Sequence, residues 1–448
     1  MSGKIPLRKR LFISACAITR SSEFAARRLG TARFLPELFA LRYSNMGGLD
    51  REVFAAQLAG IRSFEDERWC GYWDDIAEVH LDAAQAALEK LTDRKSLELR
   101  DVMRKTGPPH TADLAAFLAP AATLFADHGP QATREMIATI TRAEARDLPA
   151  ENAEAAFIVL DEVVKALTYF QVSAFPGETP SRMRAYARSR QLTDLIVGIF
   201  NEGLDIAVEP FSLDVGSEVV RGYSALPKSD EPVPSVLVTN GLEGTVQELL
   251  IPNLRHRDRG IAMFVMEMPG TYDYREPMSA DSEAIYNSVI SWIAEEPRVD
   301  ATRIGMVGVS FGGYWSTRLA ANNPALRCAV SCGAPTHHSF SSTGSVGIPE
   351  IILHALANVT GAGNPLSLSR RLRSLSLRDR YGDIAVPLLV INGDNDTLLS
   401  SRDSIELAER APLGELVLYP DDDHCAMGHY EEWLDLCQRW LSQNFGGT

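Results

Sequence analysis

Ser310 lies in Gly308-Val309-Ser310-Phe311-Gly312, a spacing that suits a serine displayed at a sharp turn from a strand into a helix. The run from Arg303 to Val307 reads as a short buried strand, and Tyr314 to Ala320 as a helix. At such a reversal the serine backbone is strained, and a side chain at Gly308 or Gly312 would strike neighbouring backbone. The turn would aim the hydroxyl outward and place the Phe311 N–H at a helix N-terminus, where it can hold an oxyanion.

A serine hydroxyl is a weak nucleophile that needs a histidine base, and the histidine needs a carboxylate to fix its tautomer. With this turn the chain order should be Ser, acid, His, each on a loop after a strand. The apolar run Pro387 to Asn392 leads into Gly393-Asp394-Asn395-Asp396, and the position of Asp396 favours it over Asp394 as the acid. After the next strand, Glu415 to Pro420, comes Asp421-Asp422-Asp423-His424. His424 is the expected base, since His429 falls where the terminal helix begins. A second oxyanion donor should follow an earlier strand. The run from Ser235 to Asn240 enters Gly241-Leu242-Glu243-Gly244-Thr245, so the Leu242 N–H is the candidate.

Other residues near these loops are weaker candidates. A carboxylate at Glu243 opposes charge developing in an oxyanion hole unless it is protonated or meets a substrate hydroxyl or amine; the alternative is a bond to nearby backbone. Glu243, Tyr272 and His337 are carried as substrate-binding candidates. Cys425 could line the site or simply pack. Trp69 and Trp73, four apart on a helical stretch, read as helical core. His337 and His338 have no third ligand at suitable spacing, so no metal site is expected, and no cofactor.

These loops need a sheet to position them. After Leu204 an antiparallel start (206–213, 218–225) is followed by strands at 235–240, 261–266, 303–307, 327–332, 386–392 and 415–419, alternating with helices such as 282–296 and a terminal helix over 431–445. The expected fold class is α/β, with an eight-stranded, mostly parallel sheet. Before it, residues 49–202 show helical periodicity almost without interruption. The expected division is a helical cap and substrate-binding domain, 1–203, and a catalytic domain, 204–448.

The 448 residues carry a formal net charge of -15, which disfavours nucleic acid as a partner. No apolar run approaches the roughly 18–20 residues needed to span a bilayer, so no membrane partner is expected. Lys4, Arg8, Lys9 and Arg10 precede the apolar run from Leu11 to Ile18, which faintly imitates a secretion signal but is short and followed by Arg20. Six scattered cysteines lack metal-ligand spacing. They fit reduced thiols in a cytoplasmic protein. A small-molecule substrate is expected, and a homodimer is the default for this size.

Assembled, these motifs resemble the α/β-hydrolase superfamily, and more narrowly the FrsA-like esterase group, which includes 2,6-dihydropseudooxynicotine hydrolase and fungal hydrolases that shorten polyketide precursors. The resemblance rests on Gly241 to Thr245 with Glu248, on Gly308 to Gly313, and on Asp396 and His424. It extends more weakly through Tyr169 to Phe175 and Arg184 to Ala187, and covers roughly residues 50–445. It implies an N-terminal helical domain closing over the sheet and shaping the pocket. It also implies a serine hydrolase acting on an acyl or β-dicarbonyl compound, in some members by cleaving a C–C bond. Many relatives have Asp where this chain has Glu243. The alternatives are a carboxylesterase or thioesterase, or a non-catalytic binding or regulatory protein on the same scaffold.

Overall fold

The computed structural model describes residues 7–36, 38–91, 98–100, 108–129, 134–144, 150–341 and 347–446; Lys4 lies outside them. Nine helices come first among the described residues: α1 Leu7–Thr19, α2 Ser22–Leu29, α3 Phe39–Gly47, α4 Arg51–Gly60, α5 Asp66–Leu91, α6 Pro108–His128, α7 Arg134–Glu144, α8 Ala150–Ala174 and α9 Pro180–Gly203. Their starts are set by local chemistry. Asp50 caps α4 by accepting from the N–H groups of Glu52 and Val53, both at 2.9 Å. Thr179 precedes Pro180, whose fixed φ suits a first helical turn.

The long helices α5 and α8 pack together, and their small apolar residues allow close approach. Trp69 and Trp73 are fully buried there, edge to face at 5.6 Å, and Trp69 Nε1 donates to the Val172 carbonyl at 2.9 Å. They are helical core, and neither reaches the cavity described below.

Eight strands follow: β1 Ile206–Val215, β2 Glu218–Pro227, β3 Val233–Thr239, β4 Ala262–Met266, β5 Val299–Val309, β6 Leu326–Cys332, β7 Leu388–Gly393 and β8 Gly414–Tyr419. The intervening helices are α10 Gln247–Asn253, α11 Glu283–Glu295, α12 Phe311–Asn322, α13 Glu350–Thr360, α14 Pro365–Ser374 and α15 Ser401–Arg410, and α16 Tyr430–Asn444 closes the chain. The strands form one sheet in the order β1-β2-β4-β3-β5-β6-β7-β8. Strand β2 runs antiparallel to β1 and β4, and the other pairings are parallel.

Register aligns the carboxyl ends. Thr239 sits opposite Gly308, Val309 opposite Cys332, and Cys332 opposite Ile391. The loops after β3, β5, β6, β7 and β8 therefore open on one edge, the usual ligand edge of a parallel sheet.

Helices α1 to α3 lie over these loops. Asn45 Nδ2 donates to the Met427 carbonyl at 2.7 Å, Gly347 N–H to Ser14 Oγ at 2.8 Å, and α1 packs on α13. The basic-apolar stretch that imitates a secretion signal forms α1, with Ile13 and Cys16 buried beneath it. Among the described residues no helix is long and apolar enough to cross a membrane.

Candidate active site

Strand β5 ends at Val309 and α12 begins at Phe311, which leaves Ser310 alone to make the reversal, at φ 57° and ψ −122°. That conformation is costly for a residue with a side chain and persists only where its surroundings enforce it. They do so through missing side chains. A Cβ on Gly308 would collide with the Gly312 carbonyl, and one on Gly312 with the Thr239 carbonyl. Ser310 N–H is fixed to the Cys332 carbonyl at 2.7 Å.

Ser310 Oγ lies 2.9 Å from His424 Nε2, and His424 Nδ1 lies 2.9 Å from Asp396 Oδ2. Asp396 also accepts from Asn392 Nδ2 at 3.0 Å and from the N–H groups of Leu398 and Leu399 at 2.9 and 2.7 Å. Burial alone would raise the Asp396 carboxyl, but His424 and these donors hold it below the ordinary range. Burial likewise disfavours the imidazolium of His424. Cys425, the larger of the two raising influences, is itself pushed up by burial and so stays a neutral thiol, which leaves the Asp396 carboxylate to raise His424 above the usual value.

The alternatives fall elsewhere. Asp394 Oδ1 accepts from the Asp421 N–H at 2.8 Å, and His429 pairs with Asp422 at 2.7 Å and stacks on Tyr419. The acidic run before His424 is scaffolding. Asp422 accepts from the N–H groups of Asp423 and Gly428, and Asp423 from Thr397 and His424. This bracing holds Cys425 and Ala426 at φ 56° and 48°, which turns the imidazole toward Ser310.

Gly241 abuts the serine so closely that a Cβ there would lie 2.6 Å from Ser310 Cβ and 2.7 Å from Phe311 N. Among the described residues, neither the Leu242 nor the Phe311 N–H donates to a protein acceptor. Two free donors beside a nucleophilic hydroxyl are what a tetrahedral oxyanion requires.

Glu243 and Tyr272 do not line the cavity, contrary to the substrate-binding expectation. Glu243 takes φ 56°, and that turn sends its carboxylate to the Gly177 N–H at 2.7 Å. Burial pushes it up to about 7, against the Gly177 donor, and its Oε1 has no protein partner. Tyr272 donates its hydroxyl to the Glu243 carbonyl at 2.9 Å and stacks on Tyr186 at 4.2 Å. His337 also lies outside the lining: its Nδ1 meets Ser376 Oγ at 2.8 Å, and its N–H donates to Asp403 at 2.9 Å. Cys425 does line the cavity. No cluster able to hold a metal occurs among the described residues.

Sequence reasoning missed Arg42. Its Nε and Nη2 donate to the two oxygens of Glu248 at 2.7 and 2.8 Å, and Nη2 also to the Glu243 carbonyl at 2.8 Å. Burial would lower its guanidinium, but Glu248 overrides this and raises it. Glu248 Oε2 in turn takes the Thr245 N–H at 2.9 Å and Asn240 Nδ2 at 3.2 Å. The loop bearing Leu242 is thus clamped from behind by an arginine of α3. An isolated arginine in a helix carries no sequence signal of this reach.

Above Ser310 is a mostly apolar cavity of about 420 Å³, a size suited to a small organic molecule. Its floor is Gly241, Leu242, Ser310, Phe311 and His424; its walls come from residues 17–46, from Phe175, and from residues 335–372. Among the described residues between 50 and 203, only Phe175 contributes. Within the expected cap, 1–203, the walls thus come from residues 17–46 and Phe175 and not from the long helices α5 and α8.

The model of the family described as "Esterase FrsA-like" matches residues 161–445. The chain belongs to the FrsA-like esterase family. Curated relatives in it include Esterase FrsA of Vibrio cholerae, 27% identical over 304 residues that cover 63% of this chain and 69% of the relative. Esterase FrsA of Photobacterium profundum is 24% identical, covering 61% and 68%. Among solved structures, 2,6-dihydroxy-pseudo-oxynicotine hydrolase superposes with TM-score 0.63 at 17% identity over 91% of this chain and 95% of that one. AbyA5 gives 0.56 at 22% identity over 72% and 93%. This FrsA-like chain is a hydrolase with the α/β-hydrolase fold.

Proposed function

We propose that the protein is a serine hydrolase that attacks the carbonyl of an uncharged, largely apolar small molecule. Ser310 is the nucleophile, His424 the base, and Asp396 the group that orients and charges the imidazole. One observation carries the reading: the continuous relay Ser310 Oγ to His424 Nε2 to Asp396, each link 2.9 Å, at the floor of the cavity.

His424 takes the hydroxyl proton as Ser310 adds to the carbonyl, and the N–H groups of Leu242 and Phe311 receive the oxyanion. Collapse expels the leaving group, protonated by His424, and water then frees the acyl group from Ser310 by the same steps. The esterase relatives in the family favour an ester as substrate. The apolar lining also admits a β-dicarbonyl, for which the leaving group is a stabilised carbanion and the bond cleaved is C–C.

The test is turnover of an aryl ester and of the aryl β-diketone with the same acyl group, by the wild type and by Ser310→Ala. Ester turnover that falls by about 10⁴-fold or more in the variant is the expected result. Diketone turnover with the same dependence assigns C–C hydrolysis. Ester turnover that survives in Ser310→Ala sinks the mechanism.

A further inference from the structure

The chain is acidic overall, yet residues 7–36 carry seven Lys or Arg against one carboxylate, Glu23. That carboxylate is already engaged by Arg27, Ser63 and the Phe64 N–H. The same segment exposes large apolar side chains: Leu11 at 54%, Phe12 at 43%, Ile18 at 82%, Phe24 at 63% and Leu29 at 43%. These are five of the twelve large apolar side chains exposed among the described residues, and they fall within nineteen positions.

On α1 they share a face. Arg8, Leu11, Phe12, Ala15, Ile18 and Thr19 recur every third or fourth residue on the solvent side, while Ile13 and Cys16 point inward and are buried. This inverts the usual arrangement, in which a surface helix turns its apolar stripe to the core. On α2, Arg28 lies over the Phe24 ring at 4.9 Å. The hairpin is anchored and does not merely dangle: Ser22 N–H donates to Glu350 at 3.1 Å, Thr31 N–H to the Ile61 carbonyl at 3.1 Å, and Arg62 to the Arg28 carbonyl at 3.0 Å.

The patch borders the mouth of the cavity. Lining residues that are themselves exposed mark that mouth, and they are Arg20, between α1 and α2, together with His354, Gly363, Asn364 and Pro365. Next to Pro365 stands Leu366, 69% exposed, and Arg370 is exposed on the same helix.

We propose that this basic and apolar face docks on an anionic lipid bilayer, so that the cavity mouth opens toward the membrane surface. Arginines interspersed with long apolar side chains on a helix lying flat are the chemistry of an interfacial helix. The acidic remainder of the chain is repelled by anionic headgroups, which orients the molecule with this face down. A symmetric pairing of two copies through the same face would instead bring two basic patches together. The expectation of no membrane partner rested on the lack of a spanning segment, which peripheral docking does not need. Docking is independent of which bond Ser310 attacks; it implies that apolar substrates dissolved in the bilayer reach the site directly.

The experiment is flotation of the full chain with vesicles of phosphatidylcholine alone and of phosphatidylcholine mixed with phosphatidylglycerol. A soluble aryl ester is assayed on the same preparations. The wild type should bind the mixed vesicles, and raised salt should weaken that binding. The double variant Ile18→Glu and Phe24→Glu should lose it. Arg8→Glu with Arg33→Glu should weaken it roughly fivefold or more per site. Neither pair lines the cavity, so soluble-ester turnover and thermal melting should stay at wild-type values.

Absent or equal binding to both vesicle types overturns the inference. So does self-association by light scattering that disappears in Ile18→Glu without any vesicle binding, which would assign the face to a second copy. Vesicle binding with no ester turnover would support docking while removing the hydrolase reading, so the two fail separately.

Discussion

Each loop of the cavity floor is shaped from within by bonds between residues a few positions apart, whereas the walls are tied down by bonds between residues hundreds apart. On the floor, Asp396 binds the N–H groups two and three residues on, Asn240 that of the next residue, and Asp423 that of His424. In the walls, Ser22 meets Glu350 across 328 positions and Ser14 meets Gly347 across 333. Local bonds allow a short motif to specify reaction geometry. Long-range bonds place substrate selection in packing that no short motif records.

The contrast predicts that floor variants lower kcat and wall variants change selectivity. The largest effect belongs to Asp396→Asn, which leaves His424 without its charged partner. Turnover should fall by about 10³–10⁴-fold. The pH profile gives a second readout. The base must be neutral and Asp396 raises its pKa, so wild-type activity should be lost as pH falls through a value above the ordinary imidazole figure of about 6.5. Asp396→Asn should move that acid limb downward; an unmoved limb would remove His424 from the reaction.

Next is Gly241→Ala. The added Cβ must displace Ser310 or the Phe311 N–H, so kcat should drop by about 10²-fold with KM little changed. Steady-state kinetics on one ester decides it, and a KM effect alone would mean that the loop only binds. Smaller again is Leu353→Ala in the wall. It should shift the preference between long- and short-acyl esters by about tenfold and leave kcat on the short ester intact. An equal loss on both would erase the distinction between floor and wall.

The smallest effect concerns Glu243, which joins the two regions. Its folded pKa of about 7 lies above the unfolded carboxylate value, so the folded state binds the extra proton, and stability declines as pH rises from the unfolded value through about 7. Glu243→Gln should flatten that decline by on the order of 1–2 kcal/mol, read as a smaller difference in melting between about pH 4 and about pH 8, which lie on either side of the span.

The sheet was legible because a strand buried on both faces leaves an unbroken apolar run, as from Leu388 to Ile391. Strand β5 begins at Val299, four residues before the expected Arg303, because Val299 pairs with Val233 across an irregular register. The serine turn was legible because its glycines answer steric demands that act within five residues. Glu243 and Tyr272 were misplaced because both take positive φ, 56° and 45°, an uncommon state for residues with side chains and one that reverses where those side chains lead. Helices α1, α3, α13 and α14 carry helical patterns, but periodicity marks a buried stripe without naming what it is buried against. For that reason the pattern assigned the pocket-shaping role to the whole cap, 1–203, without singling out residues 17–46 and Phe175, which fulfil it among the described residues.

The clamp of Arg42 on Glu248 limits how this protein could be recombined. A graft that moved the sheet and its catalytic loops onto another helical front, without α3, would leave the Glu248 carboxylate buried with its countercharge gone. Removing one partner of a buried ion pair typically costs about 3–5 kcal/mol, and here the loss would fall directly behind Leu242. Substrate range can drift through Leu353 and its neighbours one side chain at a time. The arginine and the loop it holds must be inherited together.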